Sequence, residues 1–211
     1  MFVLASASKA RQKLLDQISL KHIAIVSDFD ETKVKEFNPC LQVQLLAQGK
    51  AESVFYKIKK MNEPKNNFKA LLACDSLFEF EGKVFGKPTD KEQLISRLKR
   101  MSGKIGFLHT GHYLIYISEF KKDLNSIFIE KSFEGVVSTK IEFMSLSTQD
   151  ILNYASSAEP YHCAGGFAIE GNGGLFIKNI DGCFSNVIGL SLPWLKVNLA
   201  KCGLSNLLLK N

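Results

Sequence analysis

The chain has 211 residues, enough for one sizeable core and short of two full domains. Its 45% hydrophobic and 23% charged residues are ordinary for a globular protein, and no run approaches the ~18 consecutive apolar residues of a membrane span. Five scattered cysteines without a C-x-x-C pair argue against a disulfide framework or a thiolate zinc site. They predict a soluble protein of a reducing, cytosolic compartment. The net charge of +6 suits a polyanionic ligand, nucleic acid or triphosphate alike.

In chain order, Phe2–Ala5 is a short apolar run. It is too short for the core of a signal peptide, and its basic residues follow it, so it reads as a buried first strand. Ser6-Ala7-Ser8 precede a helical pattern carrying Leu14, Leu15 and Ile18. His22–Val26 reads as a second strand and Ser27–Asn38 as a polar, acidic loop. Pro39 opens a long helix whose Ala47, Ala51, Val54, Phe55 and Ile58 form one face, with Lys50 at its flank. Ala70–Cys74 is a fully apolar run, read as a central strand that ends in Asp75. Glu79–Val84, with Glu81-Gly82 in its middle, predicts a hairpin. Thr89 and Glu92 form a capping-box signal for a helix to Met101, with Gly103 just beyond.

Ile105–Phe143 is strand-rich, with a break predicted around Lys121–Asn125. Ser147 and Asp150 predict a helix start running to about Ser156. A glycine-rich stretch leads into a predicted strand at Leu175–Ile177, and Pro193 begins a last helix. No internal repeat or Pro/Ser-rich linker appears. The pattern predicts a single α/β domain over 1–211, with two lobes around one cleft.

Several residues carry chemistry. Ser6, Ser8 and Arg11 between a strand and a helix make either an anion cradle or simple helix capping. Asp75 after a buried strand is where α/β proteins hold ligands, and equally a turn carboxylate. Lys87 sits in the rigid Gly86-Lys87-Pro88 turn. Asp28, Asp30 and Glu31 crowd one loop of a basic chain, as magnesium or manganese ligands or as an exposed acidic face. Cys163 beside His162 cannot form a dyad in an extended segment, and His109 and His112 fall on opposite faces of a strand, so all four read as structural. The glycine-rich stretch lacks the full pattern of a dinucleotide fingerprint or P-loop.

Taken in order, Leu4-Ala5-Ser6-Ala7-Ser8, the Lys50 segment, Asp75, Gly86-Lys87-Pro88, Met101-Ser102-Gly103, Thr110-Gly111, Glu159-Pro160, Ala164-Gly165, Asp181-Gly182 and Val187-Ile188-Gly189-Leu190 resemble the Maf family of nucleotide pyrophosphatases. The resemblance implies a strongly bent mixed sheet between helices, a positive cleft, a divalent metal and frequent homodimers. It implies a nucleotide substrate rather than nucleic acid or membrane. Asp75 would be the general base, with Glu31 beside it at the metal. Arg11, Lys50 and Lys87 would grip the triphosphate, and Ser6 and Ser8 would face phosphate. His162-Cys163-Ala164-Gly165 and Glu170-Gly171 resemble the 7-methyl-GTP subgroup; the dTTP/UTP subgroup carries Asp-Lys-Ala-Gly and Gln-Gly there.

Lys9, Ala10 and Ser76 depart from the family pattern, and Ala10, Ser76 and Glu170 are the positions expected to bear on base choice. A dTTP, UTP or CTP pyrophosphatase is the alternative substrate class. A nucleotide- or nucleic-acid-binding regulator of cell division without turnover is the alternative of a different kind.

Overall fold

The computed structural model describes residues 1–60, 68–120 and 123–208, with side chains unassigned at 118–120 and 123–128. Its helices and strands are β1 (Phe2–Leu4), α1 (Lys9–Gln17), β2 (His22–Ala24), α2 (Pro39–Lys60), β3 (Ala70–Phe80), β4 (Lys83–Phe85), α3 (Lys91–Met101), β5 (Ile105–Phe120), β6 (Asp123–Phe143), α4 (Thr148–Ala155), β7 (Ile177–Asp181), α5 (Phe184–Ile188) and α6 (Leu192–Lys201). The strands form one mixed sheet in the order β2-β1-β3-β5-β6-β7, with β4 paired to β3. The expected α/β architecture is present. No helix among the described residues is long and apolar enough to cross a membrane.

Strand β3 organises the sheet. It pairs in parallel with β1 over Ala70–Leu72 and antiparallel with β5 from Ala70 to Glu79. From Phe78 it pairs with β4. Because β5 fills one edge of β3 throughout, β1 and β4 must share the other. Among the described residues, that edge therefore has no strand partner from Ala73 to Leu77. Alternation of side chains along β3 puts Leu71, Ala73 and Asp75 on one face and Leu72, Cys74, Ser76 and Phe78 on the other. The first face is covered by α2 through Ala51, Val54, Phe55 and Ile58. On the second, Leu14 and Leu15 of α1 and Leu195 and Leu199 of α6 pack around Leu72 and Cys74. Farther along the same face, α3, α4 and Phe167 cover Phe78 and Phe80.

Gly111, opposite Asp75 across β5, lets α2 lie on this sheet. Any Cβ there would overlap the backbone of Val43. The helix thus crosses the sheet backbone-to-backbone, which brings its next turns down onto β3.

The structure corrects several local expectations. Ala70–Cys74 extends to Phe80, so Asp75 lies inside a strand and not at its end. The second strand stops at Ala24, and the acidic loop contains a 3-10 turn at Glu31–Lys33. The cap of α3 is Asp90, which accepts from Gln93 N, while Gln93 Oε1 accepts from Thr89 N; the box is shifted by one residue. Leu175 and Phe176 belong to a 3-10 segment, Asn172–Phe176, and the strand begins at Ile177. Helix α5 was not foreseen, because Phe184–Ile188 is too short for a periodic signal. The Ser147–Asp150 capping box and the start of α6 at Leu192-Pro193 are as expected. Of the predicted break at Lys121–Asn125, residues 121 and 122 lie outside the described residues, and β6 already runs from Asp123.

Candidate active site

Three side chains meet on the α2 face at the interrupted edge of β3. Lys50 Nζ lies 2.5 Å from Asp75 Oδ1 and 2.8 Å from Glu31 Oε1. Lys50 and Asp75 are only 14% and 12% exposed, whereas Glu31 is 56% exposed. One ammonium thus bridges an inner carboxylate and an outer one, and Asp75 Oδ2 makes no hydrogen bond among the described residues. The loop bearing Glu31 is fastened to α2. Lys57 binds Asp28 at 2.7 Å and the Val26 carbonyl at 2.7 Å, and Ser53 Oγ accepts from Asp28 N. Asp30 caps the 3-10 turn by accepting from Thr32, whose hydrogen bonds hold the Asp30 carboxyl below its ordinary value. Of the acidic trio, then, Glu31 alone reaches Lys50.

The ring of Phe29 lies directly on Gly49, where a Cβ would overlap it. Gly49→Ala should therefore displace the loop and pull Glu31 from Lys50. The expected result is a turnover loss of roughly tenfold to a hundredfold with a small change in thermal midpoint, because sub-ångström placement of reacting groups governs rate. Steady-state kinetics alongside a melting curve check this; unchanged turnover would show that the Phe29–Gly49 contact does not position Glu31.

The opposite face of β3 carries a second polar group. Ser8 caps α1 by accepting from Arg11 N, and Ser6 Oγ accepts from Ser8 N. Arg11 donates through Nε to Gly189 O at 2.8 Å, through Nη1 to Cys74 O at 2.8 Å and Ser6 Oγ at 3.3 Å, and through Nη2 to Ser76 Oγ at 3.0 Å. The Cys74 carbonyl faces the gap left between β1 and β4, and Arg11 satisfies it. Four of the five guanidinium donors are thereby engaged. With Arg11 donating to it, Ser76 Oγ donates to Thr110 Oγ1 at 2.9 Å, and Thr110 donates to Asn186 O at 3.2 Å. Ala10 is half-buried in the first turn of α1.

A third group lies at the turn between β4 and α3 and the segment that follows α4. Gly86 O accepts from Gly165 N and from Arg97 Nη1 at 2.7 Å, which fixes the turn carrying Lys87. Lys87 is exposed and makes no hydrogen bond or ion pair among the described residues. Burial pushes the Cys163 thiol up to about 11, the charges of Glu170 and Glu159 push the same way, and Lys87 opposes them. The charges of Lys87 and Glu170 therefore both act on Cys163. His162 and Cys163 do not bond to one another; His162 ends a 3-10 turn, not an extended segment, and Cys163 Sγ points to the Glu159 carbonyl. His112 is buried, accepts from Ser191 N, and is pushed down to about 4 by burial, so it is a neutral structural residue.

No hydrogen bond or ion pair joins the three groups among the described residues. Sequence reasoning missed Thr110, the Asn186 and Gly189 carbonyls, and Glu159. The Glu159 carboxylate accepts from Tyr154 Oη, Asn172 N and Gly173 N, and so shapes the loop that carries Glu170. Each of these lies within or next to a motif segment, the only signal that could have found them.

The fold and site define an α/β protein with a carboxylate–lysine cluster set into an interrupted sheet edge, flanked by an arginine-anchored loop. The chain belongs to the Maf-like protein family, whose profile matches residues 1–202. It is 69% identical over 209 residues to the nucleoside triphosphate pyrophosphatase of Prochlorococcus marinus strain NATL1A, covering 99% of each chain. The protein of the same description from strain NATL2A is 68% identical over 209 residues, again with 99% of each chain covered. That of Synechococcus sp. strain CC9311 is 44% identical over 196 residues, covering 93% of this chain and 97% of its own.

Proposed function

We propose that this protein hydrolyses a nucleoside triphosphate between the α- and β-phosphates, giving the monophosphate and pyrophosphate. The observation that carries this reading is the Asp75–Lys50–Glu31 cluster at the interrupted edge of β3, in a chain closely similar to proteins of that name. A water oxygen attacks the α-phosphorus, Asp75 Oδ2 takes its proton, and the α–β bridging oxygen departs with pyrophosphate. Lys50 holds Asp75 oriented through Oδ1 and leaves Oδ2 for the proton. Arg11 keeps the Ser6–Ser8 loop and Ser76 in place and retains one N–H for phosphate; Lys87, free of partners among the described residues, is the cation for the outer phosphates.

The residues present fit a divalent cation of the magnesium type. Asp75 and Glu31 already share one cationic group, and magnesium is commonly held by one or two carboxylates with phosphate and water completing its shell. When bound there it would offset the triphosphate's negative charge.

For the base, 7-methyl-GTP is the proposed substrate. Glu170 is an exposed carboxylate beside Cys163, in the loop held by Glu159. A carboxylate accepts hydrogen bonds only, which suits the N1–H and 2-amino donors of guanine, and its charge favours a cationic methylated ring. Uracil or thymine would set carbonyls against it. Ala10 cannot stack on the base, so Glu170 is the side chain proposed to read it.

Pyrophosphate release from a panel of 7-methyl-GTP, GTP, dTTP, UTP and CTP tests both levels. The expected kcat/KM is highest for 7-methyl-GTP, and Glu170→Gln should shift preference toward dTTP or UTP roughly tenfold, the effect of wrongly pairing one polar edge of the base once the bound nucleotide covers it. No release from any triphosphate would overturn the reaction; equal rates unmoved by Glu170→Gln would overturn the base assignment only.

A further inference from the structure

A second constellation of reactive side chains stands apart from these three groups, where the first turn of α2 meets β3, β5 and β6. His109, buried on β5, sets Nε2 3.0 Å from Glu79 Oε2 on β3. Its Nδ1 lies 2.7 Å from Ser138 Oγ on β6 and 3.4 Å from Cys40 Sγ. Cys40 Sγ is also 3.9 Å from Ser138 Oγ. A carboxylate can only accept, so Nε2 carries the proton toward Glu79 and the Nδ1 lone pair faces the thiol and the hydroxyl. This is the order nucleophile, base, orienting carboxylate that activates cysteine on unrelated folds.

Two further features set the position and surroundings of the thiol. Cys40 is the second residue of the 22-residue helix α2, whose first-turn N–H groups carry partial positive charge. Asn38 Oδ1 satisfies the N–H groups of Cys40 and Leu41, which fixes that turn and the direction of the thiol. Cys40 is half-buried, so a small reagent reaches it. The other four thiols lack this arrangement. Cys74 and Cys202 are buried; burial raises the Cys74 thiol to about 12 and also raises that of Cys202. Cys163 is raised to about 11. Cys183 is held low, against the opposing effect of burial, by hydrogen bonds from Ser185, Ser191 and backbone N–H groups, and has no imidazole beside it.

We propose that Cys40 is a thiol–disulfide exchange site, activated by the His109–Glu79 pair, that takes up small-molecule disulfides as a mixed disulfide. The Cys40 proton passes to His109 Nδ1. The thiolate electron pair attacks one sulfur of R–S–S–R, forming the Cys40–S–S–R bond as the original S–S bond breaks. The departing thiolate takes the proton back from Nδ1–H and leaves as R–SH. The disulfide is the only co-reactant, and His109 ends as it began. An exchange of this kind speeds up when the attacking sulfur is ionised and the leaving sulfur is protonated as it departs, and one imidazole supplies both.

The test is uptake of oxidised glutathione by the intact protein, followed by mass spectrometry of each cysteine peptide, native and in denaturing urea. In the native protein Cys40 should react at least about tenfold faster than the same residue in the denatured chain. His109→Gln should remove that excess while leaving the rate at Cys183 unchanged. Glu79→Gln should reduce the Cys40 rate severalfold, Ser138→Ala should raise it by freeing the Nδ1 lone pair of a competing donor, and they decide the matter if His109→Gln does not fold by circular dichroism. A native Cys40 rate at or below the denatured rate overturns the proposal. So does a rate insensitive to the folded variants among these three.

Discussion

Asp75→Asn should lose about 10²–10⁴ in turnover while the protein folds normally, the usual effect of removing a general base. The amide has the shape of the carboxylate, and its oxygen still accepts from Lys50 Nζ. Lys50 also keeps Glu31 at 2.8 Å, so no unpaired charge is left behind in the site. That matters because removing one member of a buried ion pair is ordinarily strongly destabilising. Here the outer carboxylate protects the fold, and the thermal midpoint should move by only a few degrees. What the variant lacks is a proton acceptor at the Oδ2 position. Measured kcat on the best triphosphate of the panel, beside a melting curve, separates chemistry from stability. Near-normal kcat would show that another group takes the proton.

Chelation of divalent cations should abolish turnover, and magnesium or manganese should restore it. A bound triphosphate brings about four negative charges that must be offset at the α-phosphorus and the leaving group. The protein's own cations fall short of this. Lys50 is already matched by two carboxylates, and Arg11 has four of its five donors on protein atoms. Of the three cations assigned to the triphosphate, Lys87 alone is free of partners among the described residues. A divalent cation held by Asp75 and Glu31, as proposed, would fill the deficit, so Glu31→Gln should raise the metal concentration giving half-maximal rate more than it lowers the rate at saturation. Full activity in EDTA would mean that Lys50 and Arg11 release their protein partners on binding, which a structure with bound nucleotide would reveal.

Much of the fold was legible because it rests on local rules. The spacing of Ala47, Ala51, Val54, Phe55 and Ile58 identified α2 and its buried face, and the Ser147–Asp150 pair marked the start of α4. The order of short motifs from Leu4 to Leu190 pointed to the family, which the match over residues 1–202 bears out. Local rules also misled where two candidates compete within one turn. Thr89 and Asp90 are both good caps, and Asp90 prevailed because its carboxylate reaches Gln93 N while Gln93 reaches back to Thr89.

The site itself lay beyond such rules. Composition and spacing singled out Asp75, Lys50, Glu31 and Arg11 one at a time, each with a bland alternative. Only tertiary structure joined Lys50 to carboxylates 25 residues ahead in the chain and 19 behind, and Arg11 to carbonyls at Cys74 and Gly189. The strand end expected at Asp75 proved to be the end of its neighbours, β1 and β4, and not of β3 itself. Side-chain periodicity reports which face of an element is buried, because burial is decided residue by residue. Which elements then stop beside one another depends on close packing between remote segments, such as α2 resting on Gly111, and no local pattern encodes that contact.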